Sequence, residues 1–187
     1  ITAIVLAAGQ SRRMGQPKML LPWGETTVLG KVLETLKSAG VDEIVAVTGG
    51  AREQVEAIAG ESAQVVFNAE YANSEMLSSI QCGLGAIEPK ARAALICLGD
   101  QPQIQVRSVQ VILQEYESTG ALLIVPSYQM RRGHPWLVSA ELWKEILEIT
   151  QCFSFFYFPK FLIVALFLPS KVFRFLNGAN ASKELSG

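Results

Sequence analysis

The sequence predicts an α/β domain: a mostly parallel sheet inside a three-layer α/β/α sandwich, spanning residues 1–150. Three observations predict it. Short apolar, β-branched runs alternate with segments of helical periodicity. The connections are short and punctuated by glycine and proline. The runs carry no polar alternation, as strands covered on both faces require.

The elements follow in order. Residues 2–6 are β-branched and apolar, end at Ala7-Ala8-Gly9, and read as a buried parallel strand. Residues 26–38 place Val28, Leu29, Val32, Leu33 and Leu36 on one helical face, closed by Gly40. Residues 43–48 read as a strand stopped by Gly49-Gly50, 52–59 as a short helix before Gly60, and 63–67 as a third strand. Residues 76–87 read as a helix stopped by Pro89. Residues 93–98 are the most apolar strand and end at Gly99-Asp100. A helix at 106–118, a strand at 121–126 and a helix at 140–149 complete the alternation. In such sheets ligands bind outside the carboxyl ends of the strands. Ala8-Gly9, Gly49-Gly50 and Asp100 all fall at those ends.

Composition narrows the function. Sixteen basic and 17 acidic residues give a net charge of -1, which excludes non-specific coating of nucleic acid. Cys82, Cys97 and Cys152 form no C-x-x-C pair, and His134 is the single histidine. Zinc and a disulfide framework are therefore unsupported, and a reducing cytoplasm is expected. The start has no basic segment ahead of its apolar run, unlike a signal peptide.

The segment from Leu6 to Lys18 is the most informative. Gly9 and Gly15 let backbone amides approach an anion, while Arg12, Arg13 and Lys18 add fixed cations. A triphosphate suits such a loop, although composition alone also allows a solvated basic turn. It is neither a Walker A loop nor G-x-G-x-x-G. The stretch resembles the signature L-A-A/G-G-x-S-x-R-M-G-x-x-K of the MobA-like nucleotidyltransferases, and every position matches. The resemblance implies a Rossmann-like nucleotidyltransferase fold. It implies that Leu6, Ala7, Ala8, Gly9, Gly15 and Lys18 bind the nucleotide. It also implies that Arg13 and Lys18 stabilise the departing pyrophosphate. Ala8 is the alanine of the molybdenum cofactor cytidylyltransferases, where the guanylyltransferases carry a second glycine, so the resemblance leans towards CTP.

Asp100 is one of only two aspartates, with Asp42. A carboxylate after a strand can hold Mg²⁺ beside a phosphate, and equally can form a turn. Gly99-Asp100-Gln101-Pro102 resembles the metal motif of the same family, in its cytidylyltransferase form. Ser78 and Ser79 lie at a helix start, where ordinary capping and contact with a nucleotide are both open. The family has a similar N…G-M-x-S-S-I/L-x-x-G segment that touches the nucleotide, and this chain departs from it with Glu75 for the glycine. Thr48-Gly49-Gly50 is placed to pass close to the base or to be a plain glycine turn. Arg131-Arg132-Gly133-His134-Pro135 suits an anionic second substrate, or forms an exposed basic hairpin tip. Gly-His-Pro occurs at this place in the cytidylyltransferases, which implies that His134 and Pro135 face the pterin phosphate.

The resemblance covers residues 1–149. It implies transfer of CMP from CTP to the phosphate of molybdopterin, with Mg²⁺ and release of pyrophosphate, and a molybdoenzyme as recipient of the product. Two other readings stay open: a sugar phosphate or other phosphorylated acceptor, and a nucleotide-binding accessory protein of little activity. Residues 151–187 match nothing in the family. Up to Thr150 there are 12 basic and 16 acidic residues; beyond it there are four basic residues and one acid, Glu184. The family's second carboxylate, in an Asp-x-Asp-Thr-Pro context, has no counterpart. The apolar run is broken by Pro159 and Lys160 and falls short of the ~20 residues a membrane span needs. A buried strand at 161–168, a sticky exposed segment and a shifted reading frame are its remaining readings.

Overall fold

The computed structural model describes residues 1–9, 15–41, 43–72, 76–128, 131–149 and 173–177. Its ten strands are β1 (Thr2–Ala7), β2 (Pro22–Trp23), β3 (Thr26–Thr27), β4 (Glu43–Thr48), β5 (Gln64–Phe67), β6 (Ala93–Leu98), β7 (Leu123–Tyr128), β8 (Arg131–Arg132), β9 (Trp136–Ser139) and β10 (Phe173–Asn177). Its α-helices are α1 (Val28–Ser38), α2 (Arg52–Ala59), α3 (Met76–Gly85), α4 (Val106–Thr119) and α5 (Trp143–Glu148).

The main sheet has the order β10-β7-β9-β6-β1-β4-β5, with β8 paired to β7, while β2 and β3 form a separate hairpin. Strands β5, β4, β1 and β6 are parallel. β9 runs antiparallel between β6 and β7. β10 returns parallel to β7, so residues beyond 150 contribute a strand.

Side-chain alternation explains how β1 sits in the middle. Ala3, Val5 and Ala7 pack into one core with Leu29, Val32 and Leu36 of α1, Val55 of α2 and Ile112 of α4. Ile4 packs into the opposite core with Leu77, Ile80 and Leu84 of α3 and Ile146 of α5. The two cores are the two interfaces of the three-layer sandwich. Leu29 and Leu36 are fully buried, each stabilising the fold by about 2 kcal/mol relative to exposure. α1 starts where the Thr27 side chain accepts from the Gly30 amide at 3.0 Å. α4 ends at Gly120, whose φ of 61° is the left-handed cap that favours glycine. α5 is held from α3, because Gln81 Nε2 donates to the Ile146 and Ile149 carbonyls at 2.8 and 2.9 Å. The Ile146 carbonyl also accepts from the Ile149 amide at 3.3 Å, so Gln81 reinforces the C-terminal end of α5.

The fold class agrees with the sequence, and the differences are local. The helix expected from Thr26 starts at Val28, because Thr26 and Thr27 pair with Trp23 and Pro22. Ala140–Leu142 is a 3-10 turn leading into α5. β9 was not expected. It is four residues long, lies directly after a proline, and owes its existence to the partners on both sides.

Candidate functional site

The chain passes from β1 to β4 and β5 on one side, then crosses to β6 on the other side of β1. The strand order therefore reverses between β1 and β6, where an open α/β sheet forms a crevice at its carboxyl edge. Several of the sequence-predicted residues lie on this edge. Leu6, Ala7, Ala8 and Gly9 leave β1 there, and Gly99 and Asp100 leave β6 beside them. The Gly99 amide donates to the Leu6 carbonyl at 3.0 Å. A Cβ on Gly99 would lie 2.9 Å from that same oxygen, so a glycine is needed for the two loops to meet.

Gly49 follows β4 on the other flank. A Cβ there would stand 2.6 Å from Tyr71 Cδ2 and 2.9 Å from the Ala8 carbonyl oxygen. The Tyr71 ring thus lies across the Gly49-Gly50 turn, and the Ala8 carbonyl of the glycine loop also approaches Gly49. Tyr71 also sits 6.0 Å from the Phe67 ring. Sequence reasoning missed Tyr71. It has no pattern of its own, and what gives it a role is the absence of side chains opposite it.

Ser79 lies in the first turn of α3, is 7% exposed, and accepts a hydrogen bond from Asn68 Nδ2 at 3.1 Å. Gly15 has a φ of 71°, a left-handed turn. Lys18 opens the turn Lys18–Leu20, which is anchored by Met19 in the α1-side core and by the Val28 amide donating to the Leu21 carbonyl at 2.9 Å. Lys18 is exposed. Arg13 lies outside the described residues, as do Glu75 and residues 161–168.

Asp100 is exposed and, among the described residues, makes no hydrogen bond or ion pair. A free carboxylate at the carboxyl edge of the sheet is chemically suited to a hard divalent cation. Among the described residues no cluster of three or more His, Cys, Asp or Glu could hold a metal. Asp100 is the carboxylate that leaves β6 at this edge.

β9 brings in the last group. Trp136 is in register with Ile96, which places His134 beside the end of β6. The His134 ring stacks on Trp136 with centroids 4.4 Å apart and planes 17° apart. Trp136 Nε1 is fixed by donating to the Gly133 carbonyl at 2.7 Å. Among the described residues His134 Nε2 is buried without a hydrogen-bond partner. Burial lowers the imidazole to about 4, partly offset by attraction to Asp100. His134 is therefore neutral at pH 7. Pro135, behind it, is buried.

The pH consequence is definite in sign. The unfolded chain takes up a proton near pH 6.5, and the folded chain resists until about 4. His134 burial thus contributes stability fully above pH 6.5, and that stability is lost as pH falls through this window. Urea unfolding between pH 7 and 4 is expected to show this loss, and His134→Gln is expected to flatten it. An unchanged slope in the variant would assign the acid sensitivity to other groups.

Residues 3–154 match the MobA-like NTP transferase domain. The chain belongs to that family. It is 34% identical over 149 residues to nicotine blue oxidoreductase of Paenarthrobacter nicotinovorans, covering 76% of this chain and 72% of that protein. It is 32% identical over 141 residues to the molybdenum cofactor cytidylyltransferase of Escherichia coli, covering 74% and 70%. Among solved structures, Rv0371c of Mycobacterium tuberculosis H37Rv superposes with a TM-score of 0.78 at 30% identity, covering 94% of this chain and 86% of that one. A second structure of that protein is a complex with manganese, with a TM-score of 0.73. No helix among the described residues is long and apolar enough to cross a membrane.

Proposed function

We propose that this family member is a cytidylyltransferase that moves CMP from CTP to the phosphate of a molybdopterin-type cofactor. The observation that carries the reading is the crevice between β1 and β6, where the Leu6–Gly9 backbone and the Asp100 carboxylate leave adjacent strands and are tied by the Gly99–Leu6 hydrogen bond. A triphosphate laid on the loop has its α-phosphorus near the carboxylate side. A phosphate oxygen of the acceptor attacks that phosphorus, the α–β anhydride bond breaks, and pyrophosphate leaves with the electron pair.

Each residue has a part that needs no covalent intermediate. Leu6, Ala7, Ala8, Gly9 and Gly15 line the nucleotide, and Gly49 and Ser79 approach it from the opposite flank. Lys18 and Arg13 meet the charge that grows on pyrophosphate. Asp100 would hold a divalent cation, which would neutralise phosphate charge and so lower the repulsion towards the incoming nucleophile. Magnesium is the proposed ion, and the manganese complex of the structural relative supports use of a divalent metal. His134, neutral and stacked on Trp136, together with Pro135, faces the acceptor. Preference for CTP rests on Ala8, and the similarity to the E. coli cytidylyltransferase supports it. The proposed location is the cytoplasm, with a molybdoenzyme receiving the product. Residues 1–150 form the proposed catalytic unit, and 151–187 are an addition to it.

The 34% identity to nicotine blue oxidoreductase favours a second reading, in which the same crevice serves a reduction. One experiment separates the two. Pyrophosphate release is measured with CTP or GTP, with and without molybdenum-loaded molybdopterin, and NAD(P)H oxidation is followed in parallel with nicotine blue supplied as the electron acceptor. Release that needs both CTP and the pterin is the expected result. Nucleotide turnover indifferent to the pterin would overturn the acceptor, and oxidation of NAD(P)H without pyrophosphate release would overturn the transfer reading.

A further inference from the structure

Asn68, directly after β5, joins three parts of the site and has no part in the reaction above. It is 4% exposed. Its backbone amide donates to the Thr48 carbonyl at 2.9 Å, next to Gly49. Its side-chain Oδ1 accepts from the Glu70 amide at 3.0 Å. Its Nδ2 donates to Ser78 Oγ at 2.9 Å and to Ser79 Oγ at 3.1 Å.

These bonds settle which way the amide faces. A backbone N–H can only donate, so the Asn68 oxygen must turn to Glu70 and the nitrogen to the serines. Both serine hydroxyls must therefore accept. A hydroxyl that accepts from Asn68 directs its own proton elsewhere. Ser78 has a further interaction of its own. For Ser79, among the described residues, nothing takes the proton. A buried donor without an acceptor is costly and calls for a specific explanation, a ligand being one.

We infer that Asn68 is a positioning residue: its amide presents the Ser79 hydroxyl as a hydrogen-bond donor to a lone-pair acceptor of the bound nucleotide. The inference rests on the nucleotide-binding reading of the crevice. It also explains why the residue is an amide. An aspartate has the same shape, but its carboxylate would accept the Ser79 proton and turn that hydroxyl away from the ligand.

The test is a cycle of three variants in the full chain, Asn68→Asp, Ser79→Ala and the pair, read by CTP titration calorimetry and thermal unfolding. Each single variant is expected to weaken CTP about tenfold. The double variant is expected to be no weaker than the poorer single, because both remove the same hydrogen bond. In turnover the loss falls on KM more than on kcat. If Asn68→Asp does not fold, Asn68→Ala replaces it in the same cycle. Parental affinity in Ser79→Ala, or losses that multiply in the double variant, would overturn the inference and leave the nucleotide site standing. A parent chain that binds neither CTP nor GTP would remove the nucleotide reading and this inference together.

Discussion

Asp100→Asn is expected to lower kcat/KM for pyrophosphate release by about 10³-fold, roughly 4 kcal/mol of transition-state stabilisation, and to abolish the response to divalent metal. The substitution keeps the size and shape of the side chain and removes its charge. The fold has no reason to object, since Asp100 is exposed and makes no hydrogen bond or ion pair among the described residues. The melting temperature should stay at the parent value. That separation gives the prediction its content. If Asp100 were only the turn residue that commonly follows a strand, asparagine would serve equally well, and turnover would survive. One side effect is expected as well. Asp100 attracts the His134 proton, so its removal should push the imidazole lower still. Activity near the parent level in Asp100→Asn would remove the metal role from this residue.

The fold was legible because its central strands are buried on both faces. Strands such as β1 and β6 must be apolar throughout, and each must be followed by a turn that glycine marks. Those signals are local, and they need no knowledge of the partners. β9 and β10 are a different case. Trp136–Ser139 is four residues long, and its register comes from β6 and β7. Phe173–Asn177 belongs to the sheet through β7. Neither carries a pattern that distinguishes a strand from an apolar loop. Their placement is a property of the assembled sheet.

The site divides in the same way. The residues that reach the crevice from strand ends were visible, because β-strand termini and glycines are written in the chain. Leu6–Gly9, Gly49 and Asp100 are of this kind. Tyr71 and Asn68 act through contacts across 20 residues or more, with Gly49 and Thr48 respectively. The Asn68-Ala-Glu70 stretch did hold one signal, an asparagine that can accept from the amide two residues on. That pattern predicts a turn. It does not reveal that the other end of the amide grips two serines. Likewise the neutral state of His134 could not be read from a lone histidine. It arises from burial against Trp136.

Gly49→Ala is expected to lower kcat/KM for the nucleotide by about 10²-fold, the scale at which a misplacement of about 1 Å acts on a positioned reaction. The cause is steric. The new methyl group would lie 2.6 and 2.7 Å from Tyr71 Cδ2 and Cγ, and 2.9 Å from the Ala8 carbonyl oxygen. Something has to shift. If the tyrosine ring gives way, it loses its place over the turn and its neighbour Phe67. If the Ala8 carbonyl gives way, the nucleotide loop moves with it. The Tyr71 backbone amide donates to the Asn68 carbonyl at 3.2 Å, so the ring gives way by turning about its own side-chain bonds while its backbone stays in the turn that also carries Asn68. Gly50 provides the control within the same turn. Its Cβ would meet Tyr71 Oη at 3.1 Å and Cε2 at 3.2 Å, and no backbone atom that close. Gly50→Ala should therefore cost several-fold less than Gly49→Ala. Adding Tyr71→Ala to Gly49→Ala should recover part of the loss, the part due to the ring, and leave the part due to Ala8. Steady-state kinetics on the four chains decide it. Equal losses at Gly49 and Gly50 would show that turn flexibility matters here rather than close approach to the loop.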